Sequence, residues 1–134
     1  MLKFFLVLLL STFLSSNESK KIKIETLLKS TSSWDGTLLK KYPKGEAEIT
    51  ILKVIIPAHT KFPLHKHPFI SAGILLSGEL TIVTDSGTKL LLKSGEPAIE
   101  LIDTWHYGEN NGNVDAELIV FYAGIKGKAI SILK

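Results

Sequence analysis

Apolar residues recur along the chain in short runs, and clusters of Gly, Pro, Asn, Asp and Ser divide the runs. Residues 48–56 are rich in β-branched side chains, with Ile49 and Ile51, then Val54 and Ile56, at alternate positions. That composition and that period predict a strand. Shorter runs predict strands at 22–24, 70–76, 79–84, 89–92, 97–101, 105–108 and 117–122. Ser77-Gly78 lies between two of them and predicts a tight hairpin. Asp85-Ser86-Gly87 and Asn110-Asn111-Gly112-Asn113 predict further turns. Only residues 125–133 carry a weak helical period. Short strands separated by turn chemistry predict an all-β sandwich or barrel, and 134 residues make one domain.

The first residues follow a different pattern. Lys3 supplies a positive charge, Phe4 to Leu10 is unbroken apolar chain, and Ser15-Ser16-Asn17-Glu18 turns polar. A charged start, a short apolar core and small residues predict an export signal over residues 1–16, with the β-domain over 17–134. The run is shorter than the about 20 apolar residues a membrane-spanning helix needs. The alternative is a buried first helix. Export places the protein in the periplasm or outside the cell.

Composition narrows the chemistry. Without cysteine there is no disulfide, thiolate nucleophile, zinc–thiolate site or lipid-anchoring thiol. The net charge of +3 is carried by scattered lysines, with no basic face or aromatic–basic interleaving, so nucleic acid is not an expected partner. All 16 basic residues are lysine. A bidentate guanidinium grip on a carboxylate or phosphate is therefore excluded.

The four histidines carry the sharpest signal. His65 and His67 flank a single residue, and on a strand that spacing turns both imidazoles to one face. His106, from a distant strand, can complete one side of a metal's coordination sphere. The surroundings resemble the two motifs of the cupin superfamily. The first motif runs Gly, five residues, His-x-His, three or four residues, Glu, six residues, Gly. His65, His67 and Gly78 match it, while His59 stands at the opening Gly and Ser71 at the Glu. The second runs Gly, five residues, Pro-x-Gly, two residues, His, three residues, Asn. Gly95, His106 and Asn110 match it, with Leu101 and Asp103 at the Pro and Gly positions. The resemblance implies a single-domain cupin jelly-roll β-barrel with one divalent transition metal (Fe, Mn, Zn, Ni or Cu) held by His65, His67 and His106.

Ser71 offers a neutral hydroxyl where the motif has a carboxylate, and hydroxyls are poor ligands for such metals. Glu100 is the other polar residue to explain, an acid inside the apolar stretch 98–101. Period two places it on the face of Ala98; if that face is inward, Glu100 serves as acid/base or supporting carboxylate, and if not it is a solvent-facing residue. His59 lies in a turn and is not expected to ligate. Trp105 and Tyr107, neighbours of an inward histidine, should point outward, while Phe69 and Ile74 are candidates for the pocket lining. Trp34 and Tyr42 are read as packing or dimer contacts. Two functions follow: a metal-dependent enzyme of oxygenase or isomerase type acting on a small molecule, or a module that binds a metal or small ligand without turnover. A homodimer is left open, and no stable membrane anchor is expected.

Overall fold

The computed structural model describes residues 20–134, so the expected export signal lies outside the described residues. Ten strands run from residue 47 to residue 133: β1 (Ala47–Ile56), β2 (Thr60–Lys61), β3 (His65–Lys66), β4 (Ile70–Ser77), β5 (Glu79–Thr84), β6 (Lys89–Lys93), β7 (Pro97–Ile99), β8 (His106–Asn110), β9 (Ala116–Ile125) and β10 (Ile132–Leu133). They form two antiparallel sheets, ordered β1-β9-β4-β7 and β10-β3-β8-β5-β6, with β2 also paired to β8. No helix occurs among the described residues. The sheets face one another as a jelly-roll barrel.

The long strands follow from their side chains. β1 and β9 pair over ten positions, from Ala47 with Ile125 to Ile56 with Ala116. Alternation sends Ile56, Leu118, Val120 and Tyr122 inward, where they join Leu75, Leu80, Ile82, Leu92, Ala98 and Ala116 in one buried cluster. Ile49, Ile51, Ile55 and Phe121 alternate to the outer face and remain exposed. β5 and β6 form a hairpin, closed where the Thr84 N–H donates to Thr88 O at 2.9 Å.

The sequence misleads at three places. Ser77-Gly78 is not a hairpin: β4 belongs to the first sheet and β5 to the second, so the chain changes sheets there. Gly78 has a φ of +77°, and a Cβ added to it would lie 2.5 Å from the carbonyl oxygen of Asp115. The corner therefore requires glycine for both conformation and space. Residues 22–24 form no strand, and Ile22 and Ile24 are about nine-tenths exposed, with no strand paired to them among the described residues. Residues 125–133 turn and end in β10 rather than in a helix, because Gly127 breaks the segment at a φ of +73°.

Asn110 is 1% exposed and has a structural task. Its amide nitrogen donates to Ile56 O at 3.0 Å and to Val114 O at 2.8 Å, while its side-chain oxygen accepts from the Gly112 N–H at 2.9 Å. One side chain thus satisfies the β8–β9 loop and ties it to the end of β1.

Candidate metal centre

Two paired strands bring the histidines together. His65 on β3 lies opposite His106 on β8. His67, two residues on, keeps the same face, and a single parallel bridge to Ile102 holds it, with the Asp103 N–H donating to His67 O at 2.8 Å. The ring centroids stand 4.5 Å (His65–His106), 4.9 Å (His65–His67) and 5.1 Å (His67–His106) apart. One ring nitrogen from each lies within 4.8 Å of the others. All three side chains are buried.

Hydrogen bonding fixes which nitrogen is free. Nδ1 of His65 meets Pro63 O at 2.7 Å, Nδ1 of His67 meets Ile130 O at 2.9 Å, and Nδ1 of His106 meets Thr104 O at 2.8 Å. A carbonyl oxygen only accepts, so each Nδ1 carries the proton and each Nε2 keeps its lone pair. Burial also holds the rings neutral. It lowers the pKa of His65 and His106, and that of His67 to about 4, outweighing the backbone hydrogen bonds that pull the other way. Neutral imidazoles with oriented, unprotonated Nε2 atoms are the form a metal requires.

Glu100 faces inward. It is 9% exposed, lines the cavity beside the histidines, and places Oε2 3.5 Å from Nε2 of His106. That oxygen is buried without a hydrogen-bond partner among the described residues, as is the hydroxyl of Ser71. Burial raises the Glu100 pKa, partly offset by His65. Three converging lone pairs and an orphaned carboxylate oxygen are the donor set of a divalent cation site, so the residues present fit the expected metal.

The cavity has a volume of about 150 Å³. Its walls are Leu52, Val54, Ile56, Leu80, Ile82 and other apolar residues, with the three histidines, Glu100 and Tyr122 as buried polar groups and Ser131 at the exposed rim. No lysine lines it. Tyr122 escaped the sequence reading because it sits in an apolar run; the signal was its even spacing from Leu118 and Val120. Its ring lies 5.2 Å from that of His67, and burial, then the Glu100 charge, pushes its pKa up to about 12.

Phe69 and Ile74 do not line the cavity. Ile74 pairs with Ile119 on the outward alternation of β4, and Phe69 packs towards Gly124. Trp105 and Tyr107 lie outside it, as expected: Lys61 stands over the Tyr107 ring at 3.6 Å and Lys66 over Trp105 at 5.1 Å. His59 is exposed and outside the cluster. Trp34 packs against the core, whereas Tyr42 is 77% exposed.

The profile of the cupin domain family matches residues 52–122, just over half of the chain. Curated proteins give no match by sequence. Among solved structures, the DMSP lyase DddQ from Ruegeria pomeroyi DSS-3 superposes with a TM-score of 0.56 at 20% identity, covering 64% of this chain and 43% of that one. An oxalate oxidase in complex with the substrate analogue glycolate gives 0.55 at 20% identity, covering 63% and 45%. An RmlC-like cupin from Shewanella frigidimarina NCIMB 400 gives 0.51 at 16% identity, covering 60% and 69%. At these identities the likeness is one of fold, and the chain spans less than half the length of the lyase and the oxidase.

Proposed function

The chain belongs to the cupin family, and from that premise we propose that it holds one divalent transition metal through His65, His67 and His106 and acts on a small molecule in the adjoining cavity. The observation that carries this reading is the shared tautomer: three buried imidazoles, each with Nδ1 tied to a backbone carbonyl and Nε2 left free beside the others. A bound divalent ion would supply Lewis acidity, with the metal being Fe, Mn, Zn, Ni or Cu.

The chain's own residues do the rest. Glu100 Oε2 is placed to hold or release a proton beside His106. The apolar walls exclude water and strengthen every electrostatic contact inside. A carboxylate beside three free imidazole nitrogens supports the reading of an enzyme. Ser71, with no carboxylate of its own, favours the second reading, a module that binds without turnover. Elemental analysis of the purified protein and of His67→Ala tests the centre. About one ion per chain, largely lost in the variant, is expected; full retention in His67→Ala overturns it.

Two further parts of the reading stand beside it. Residues 1–16 direct export to the periplasm or beyond, which an N-terminus near Asn17 in the mass of the native protein would support and an intact Met1 on cytosolic protein would refute. The chain pairs with a second copy across the outer face of the first sheet, where Ile49, Ile51, Ile55 and Phe121 are exposed; light scattering at monomer mass would refute it.

A further inference from the structure

The cavity's polar groups are few and are distributed unevenly. The histidine nitrogens and Glu100 gather at one end. Tyr122 on β9 stands beside them, in register with Ser71 on β4. Tyr122 lines the cavity, and no hydrogen bond among the described residues involves its hydroxyl. Apart from Gly108, and Ser131 at the rim, the remaining wall is Leu, Ile, Val and Phe, without a lysine, and the chain contains no arginine. A second negative group held beyond the metal's reach would therefore lie against hydrocarbon with no cation to meet it, a position that costs several kcal/mol. The volume of about 150 Å³ is room enough for an apolar body the size of benzene.

On the reading that the three histidines hold a divalent ion, we propose that the cavity takes a molecule with one oxygen-bearing end, at most singly negative, and an apolar body near the size of benzene. Tyr122 is the specificity residue: its hydroxyl donates a hydrogen bond to that oxygen end, and dicarboxylates whose second acid falls on the apolar wall are refused. The Tyr122 ring also packs in the core, so Tyr122→Phe keeps the packing and removes only the donor.

The test uses cobalt-loaded full-length protein, with the visible cobalt spectrum as the readout and two probes matched in heavy-atom count, cyclopentanecarboxylate and succinate. Cobalt content is measured before and after each titration. The expected result is binding of cyclopentanecarboxylate at least about tenfold tighter than that of succinate. In Tyr122→Phe, cobalt content should stay unchanged while cyclopentanecarboxylate binds about three- to tenfold more weakly. Equal or tighter binding of succinate, or an unchanged affinity in Tyr122→Phe, overturns the inference while leaving the metal centre standing. A wild-type protein that takes up no cobalt overturns the metal centre itself, and this inference with it.

Discussion

The backbone N–H of Glu100 donates to the carbonyl oxygen of Ser71 at 2.9 Å, one step beyond the last paired residues of β4 and β7. The two residues are thus direct cross-strand neighbours on the inward face, and their Cβ atoms lie about 5 Å apart in such a pair. The first cupin motif carries its carboxylate at the position of Ser71. Here the carboxylate lining the cavity is that of Glu100, one residue past the strand beside it. The orphaned Ser71 hydroxyl and the orphaned Glu100 Oε2 are neighbours in one buried site, where either position can present a carboxylate.

Exchanging the pair should therefore be far less harmful than changing either residue. Glu100→Ser removes the carboxylate beside the histidines and should weaken metal binding by about ten- to a hundredfold. Ser71→Glu alone puts two acids side by side in a buried site, which should destabilise the metal-free protein. The double variant Ser71→Glu/Glu100→Ser should recover most of the metal affinity. Isothermal titration with zinc reads this, and additive losses in the double variant would show that the two positions are not equivalent.

The corner at Gly78 gives a second prediction. Gly78→Ala adds a Cβ within 2.5 Å of a backbone oxygen at a φ of +77°. Neither the conformation nor the contact can relax cheaply, so a loss of about 2–4 kcal/mol is expected in urea unfolding. A loss below about 1 kcal/mol would mean that the β4–β5 corner can shift.

Gly78 also marks the limit of what the sequence reveals. A tight hairpin and a sheet-to-sheet corner use the same local chemistry, a small residue with positive φ. Only the carbonyl of Asp115, distant in sequence, distinguishes them. The histidines were legible because period two is a local rule that β3 obeys, and His106 because its motif spacing is retained. Glu100 was legible as an acid in an apolar stretch. Tyr122 was not, since an aromatic among apolar neighbours looks like core, and Tyr122 is core along its ring.

His59 and Asp103 are the non-glycine residues with positive φ among the described residues, at 58° and 53°, and both stand where the two motifs carry Gly. A left-handed residue costs roughly 1–2 kcal/mol, part of which glycine returns as unfolded-chain entropy. His59 is exposed and outside the metal cluster, so His59→Gly should stabilise by about 0.5–1 kcal/mol, a rise of a few degrees in Tm, with metal content unchanged. Asp103 pairs with Lys40, so Asp103→Gly should gain less. A fall in Tm for His59→Gly would show that the imidazole makes a contact of its own.

The last prediction concerns the metal-free protein and pH. The buried histidines bind protons less readily when folded than when unfolded, His67 with a pKa of about 4 against an ordinary 6.5. Their contribution is fully present above pH 6.5 and is lost as pH falls towards 4, because acid favours the chain that can take up the proton. His67 alone accounts for about 3 kcal/mol across that window. Glu100 acts in the opposite direction. Its raised pKa makes the folded state the better proton acceptor above 4.5, so its contribution is present at low pH and is lost as pH climbs through the folded value. Chelator-treated wild type should therefore lose stability on both sides of an optimum. Glu100→Gln should lift the alkaline side while leaving the His67 part of the acid side in place, and His67→Ala should flatten the acid side. Urea unfolding between pH 4 and 8 measures both limbs. An acid limb unmoved by His67→Ala would mean that the burial of this imidazole is not what holds it neutral.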